Sequence, residues 1–176
     1  DEEEVMRELK KEIDEALERS KEINDRLRKE IRDVLEKLER IVREVKERSE
    51  RVLEDVRRKV DSKKLERVEK IIRESEKHVD EARKEIEKRI KELEDRVREN
   101  TERVKRIIEE LRDRVRKLGG VKEAVDEIRR ILREALEEDK KSVEDIRRDL
   151  DKIEKDVKKV LEDNERLLKR LREEVK

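Results

Sequence analysis

Ser75 and His78, three residues apart in a helical stretch, form the only pairing of a nucleophile with a base that this sequence offers. Hydrolysis by such a pair needs an acid to orient the imidazole. The carboxylate best placed on a core stripe is Asp139, which the register set by the short loops puts at the height of Asn100. From His78 to Asn100 is 22 residues, roughly 33 Å at ~1.5 Å per residue, so no triad forms. His78 is then expected at the edge of a core network or on the surface. Metal chemistry fares no better. One histidine, no cysteine and solvated carboxylates supply no transition-metal ligand set, and no calcium-loop spacing occurs. No catalytic residue, cofactor or metal is expected, and the chain does not read as an enzyme.

The residues that stand out are uncharged and polar. Asn24, Asn100 and Asn164 fall on the apolar stripe of a long helical pattern, where Leu, Ile or Val is expected. Four of the five serines, Ser20, Ser49, Ser75 and Ser142, lie on the same stripes. The solvent faces carry almost nothing but Glu, Lys, Arg and Asp; there is no Gln, and Thr101 is the one threonine.

With 62% charged residues and no aromatic side chain, composition alone points to disorder, but regular helical spacing overrules it. The 55 basic and 55 acidic residues cancel and are interleaved. Nucleic-acid binders carry a basic stripe with stacking groups, and neither is present, so nucleic acid is not an expected partner. No apolar run approaches the ~20 residues of a membrane span. The stretch Asp1-Glu2-Glu3-Glu4 is the reverse of a cationic leader. A soluble, untargeted chain with no required partner is expected. Without cysteine, disulfides are impossible and the redox compartment is unreadable.

The elements that must position the polar residues are three long helices, at about 2–60, 63–118 and 121–175 of a single domain. Proline is absent, so only two interruptions remain. Asp61-Ser62 breaks the first stripe, and Ser62 can cap the second helix by accepting a backbone N–H. Gly119-Gly120 ends the second stripe, as suits a C-cap with left-handed dihedrals. Each stripe repeats every eighteen residues, as in Ala16/Leu17, Val34/Leu35 and Val52/Leu53. Eighteen residues make five turns at 3.6 per turn, so the period predicts straight helices without supercoil. The fold class is therefore all-α: an untwisted, antiparallel, up-down-up three-helix bundle, a rod roughly 85 Å long. One apolar face per helix is what two neighbours can cover, which predicts a monomer. Seam width alone leaves self-association open.

Short loops also fix register. Turning at Asp61-Ser62, helices one and two face each other at residue numbers totalling about 124; turning at Gly119-Gly120, helices two and three meet at about 239. These rules bring Ser49, Ser75 and Asn164 into one polar layer and Asn24, Asn100 and Asp139 into another, about seven turns or roughly 37 Å away. Ser20 and Ser142 extend the second layer, Thr101 flanks Asn100, and His78 edges the first. A buried polar group without a partner costs ~1–3 kcal/mol, so eight of them unpaired would cancel a typical net stability of ~5–15 kcal/mol. They must be paired or hydrated. A network across three helices penalises every register that separates its members.

The eighteen-residue repeat, the minimal Asp61-Ser62 and Gly119-Gly120 connections, the Glu/Lys/Arg surface and the two polar layers resemble computationally designed, parametrically generated helical bundles with buried hydrogen-bond networks. The resemblance covers the whole chain. It implies no natural substrate, and a role as a rigid scaffold whose core specifies one topology. Zero net charge departs from the modest excess of one sign usual in such surfaces. Spectrin-like repeats are similar only in helix count, since they imply supercoiling and a core tryptophan that is missing here. The alternative role is a designed oligomerisation module that uses the apolar seams as its interface.

Overall fold

The computed structural model describes residues 2–117 and 122–175, and these form a three-helix bundle. The helices are α1 (Glu2–Lys59), α2 (Ser62–Lys117) and α3 (Lys122–Val175). Gly119 and Gly120, the expected second turn, lie outside the described residues. Strong helix formers fill the solvent faces and no proline interrupts them. Glu2, Glu3 and Glu4 open α1, and Arg57, Arg58 and Lys59 close it, each sign complementing the helix dipole at its end.

Burial follows the eighteen-residue period. On α1 the buried positions include 9, 27 and 45, then 13, 31 and 49, then 16, 34 and 52; on α3 they include 128, 146 and 164, then 132, 150 and 168. Because this period matches the helix's own 3.6 residues per turn, the buried face does not drift around the helix.

The chain divides into two compact units: Asp1–Ile31 with Glu92–Asp149, and Arg32–Lys91 with Leu150–Lys176. The core of the first unit includes Leu9, Ile13, Val104, Ile108, Leu111, Val125 and Ile128, all at most 3% exposed. That of the second includes Val52, Val56, Val68, Ile72, Leu168 and Leu171. In each unit α1 and α2 run antiparallel. The ion pair Asp14–Arg112 in the first, and Lys46–Asp80 and Arg57–Glu69 in the second, all have residue numbers totalling 126. In each unit α1 and α3 run parallel at an offset of 117, as in Glu12–Arg129 and Glu30–Arg147 of the first and Lys37–Glu154 and Arg48–Glu165 of the second.

The connection between α1 and α2 differs from the expectation in one respect. The cap is Asp61: its carboxylate accepts the backbone N–H of Lys64 at 2.9 Å while its carbonyl accepts that of Leu65 at 3.0 Å. Ser62 is the first helical residue. An N-cap side chain satisfies the amide three residues on, and only the residue just outside the helix has the geometry for it. Either residue type can cap, so composition could not separate them.

Candidate functional site

In the first unit the polar layer is inserted into an otherwise apolar ladder. Asn24 follows Ala16 and Ser20 on α1 and precedes Leu27; Asn100 lies between Val97 and Val104 on α2; Asp139 lies between Ala135 and Val143 on α3. Ser20, Asn24, Asn100 and Asp139 are all at most 3% exposed, so water cannot serve as their general partner. They serve one another. Asn100 Nδ2 donates to Asn24 Oδ1 at 3.1 Å and to Asp139 Oδ1 at 2.5 Å. Asn24 Nδ2 donates to the same Asp139 oxygen at 3.1 Å and to the Ser20 carbonyl at 2.8 Å, with Ser20 Oγ farther away at 3.4 Å. Each of the three helices is thereby bonded to the other two. A carboxylate only accepts, so Asp139 forces both amides to present their NH2 groups and fixes which way each is turned.

The network continues outward through a residue that the sequence did not single out. Arg103, three residues after Asn100, donates to Asn100 Oδ1 and to Ser142 Oγ, the latter at 3.2 Å. It thus carries a positive charge to within one amide of the buried carboxylate, which needs a compensating donor set to stay in the core. Thr101 is half-buried. Its hydroxyl bonds the Val97 carbonyl at 2.8 Å and accepts from Arg28 at 3.2 Å, so it joins α1 to α2 beside the layer and not within it.

In the second unit the corresponding layer does not close. Ser49 and Asn164 are buried at 1% and 2% exposure, while Ser75 is only half-buried. Both side-chain polar atoms of Asn164, Nδ2 and Oδ1, are buried without a hydrogen-bond partner. The expected three-way network of Ser49, Ser75 and Asn164 is therefore replaced by a buried, unpaired amide. Reach explains the contrast. Helix axes pack ~8–10 Å apart, which Asn opposite Asn and Asp can bridge but Asn opposite two serines cannot. Two orphaned atoms at ~1–3 kcal/mol each weaken the core here.

His78 lies on the surface, its side chain 79% exposed and its Nδ1 3.9 Å from Glu81. Asp139, the core acid that a Ser75–His78 pair would need, is committed to Asn24 and Asn100. Among the described residues, no three His, Cys, Asp or Glu side chains cluster so as to hold a metal, and no helix is long and apolar enough to cross a membrane.

The rim is electrostatic. Arg48 of the second unit donates to Glu165 on α3 and to Glu44 one turn back, both at 2.7 Å. The bond to Glu165, followed by the attraction of Glu44, outweighs desolvation and raises the guanidinium above its ordinary pKa. Arg89 pairs with Asp156 in the second unit and Arg96 with Asp149 in the first, each at 2.5 Å. Such exposed pairs contribute ~0–1 kcal/mol apiece.

Comparison with protein-family models, curated proteins and solved structures finds no match to this chain.

Proposed function

We propose that this chain is a computationally designed structural scaffold, a self-contained helical bundle without enzymatic activity, whose buried polar residues specify register and topology. The observation that carries the reading is the closed triangle of Asn24, Asn100 and Asp139, in which every side chain bonds both others. Three buried polar side chains stabilise a core less than three leucines would, so their return lies in excluding alternatives. Lack of any match to known families is compatible with that origin.

Replacing all three by leucine tests the role. The variant is expected to remain helical and to melt at a higher temperature. It should lose the single set of methyl NMR resonances expected of the parent, because no polar layer then excludes slipped or intermolecular packings. One sharp set of resonances from the all-leucine variant would mean that the layer specifies nothing.

A second reading, a designed oligomerisation module, draws on the apolar residues that stay partly exposed at the seams. These include Leu17, Ile107, Ile131 and Leu136 in the first unit and Leu53, Ile71 and Leu167 in the second. Solution mass separates the two.

A further inference from the structure

The unpaired amide of Asn164 borders a groove of about 400 Å³ between α2 and α3 of the second unit. Ile71, Val79 and Ala82 wall it on one side, and Val160 and Leu167 on the other. Most of its lining is apolar and Ala82 leaves room that a larger side chain would fill. The volume lies within the ~300–1,000 Å³ of small-molecule sites, which join apolar walls to a few convergent polar groups. Ser75 and the exposed His78 also line it, and its one buried polar side chain is Asn164, 2% exposed, with a donor and an acceptor both unused.

That pairing selects the guest. A carboxamide offers N–H and C=O in one plane, and its complement is another amide edge presenting C=O and N–H. An ionised carboxylate has no hydrogen for Asn164 Oδ1, and Glu74 and Asp163, which also line the groove, repel it. An ammonium has no acceptor for Nδ2. A hydrocarbon leaves both atoms unpaired.

We propose that this groove is a binding site for a small uncharged molecule with an apolar body and one amide-type edge, a primary carboxamide or a lactam, held by paired hydrogen bonds to Asn164. The proposal is independent of the scaffold reading, since a designed or natural bundle with this groove would bind the same guest.

Benzamide is the probe. The chain has three asparagines and no glutamine, so its ¹H–¹⁵N spectrum holds only three side-chain amide pairs. Titration should shift the Asn164 pair and leave those of Asn24 and Asn100 in place, with a Kd on the order of 1 mM for so small a ligand. Toluene, lacking the edge, and benzoate, lacking the donor, should bind at least about tenfold more weakly. Asn164→Leu should weaken benzamide about tenfold with helicity retained. Ala82→Leu, which keeps the amide but fills the groove, should abolish the shift of Asn164. An Asn164 pair that does not respond to benzamide overturns the proposal, as does toluene or benzoate binding as well as benzamide. Undiminished binding to a folded Ala82→Leu variant does the same.

Discussion

Two asparagines of one type and equal burial have opposite roles in this core. Asn100 spends every hydrogen-bonding group it has, on Asn24, Asp139 and Arg103, whereas Asn164 spends none. Their replacement by leucine, which has the same number of side-chain heavy atoms and the same branching at Cγ, should therefore diverge. Asn164→Leu removes two orphaned atoms, each costing ~1–3 kcal/mol, and is expected to raise stability by roughly 2–6 kcal/mol, read as a higher urea midpoint at unchanged slope. Asn100→Leu strips the buried Asp139 carboxylate of a donor and cuts its link to Arg103; it should cost ~3–5 kcal/mol in the same measurement. Equal effects at the two sites would contradict the partner assignments. At this scale the sequence was legible where a residue breaks a pattern. An asparagine or serine on an apolar stripe is conspicuous, and loop-based register brought Asn24, Asn100 and Asp139 to one height. Arg103 was not legible, because one arginine among 55 basic residues carries no distinguishing mark, although its place one turn from Asn100 was available as a signal. Nor was the failure of the Ser49, Ser75 and Asn164 layer, which depends on side-chain reach and not on register.

The helices owe their boundaries and pairing to separate devices. Asp61 caps α2, so Asp61→Ala is expected to cost ~0.5–2 kcal/mol, and Ser62→Ala, outside the cap, less than ~0.5 kcal/mol. Thermal melts of the two variants make the comparison, and a larger loss at Ser62 would reverse the assignment. Pairing of α1 with α3 faces a hazard peculiar to an eighteen-residue period: a slip of one full period again sets apolar stripe against apolar stripe wherever the two helices still overlap. The rim charges oppose it. Glu12–Arg129 and Glu30–Arg147 place the acid on α1, whereas Arg48–Glu165 reverses the order. Sliding α3 by eighteen residues sets Arg48 against Arg147 or Glu30 against Glu165. Each exposed pair is worth under ~1 kcal/mol, so Arg48→Ala should shift stability by no more than that. The polar layer is the stronger guard, since the same slip moves Asn24 from Asp139 to Val157. The period itself was plain in the sequence, because only a helix-matched repeat keeps Ile, Val and Leu on one face over more than fifty residues.

For the whole chain, the two units are expected to differ in local stability, since one polar layer is closed and the other is not. Backbone amides around Asn24, Asn100 and Asp139 should be among the slowest to exchange with deuterium, and those around Ser75 and Asn164 should exchange faster. Uniform protection would show that the unpaired amide of Asn164 costs nothing. A self-contained chain is proposed, since the layer of Asn24, Asn100 and Asp139 closes among its own three helices. Light scattering across a concentration series decides it. A self-contained chain keeps a constant mass near 21.6 kDa. A stable multiple of that mass would place the seams between chains and contradict it.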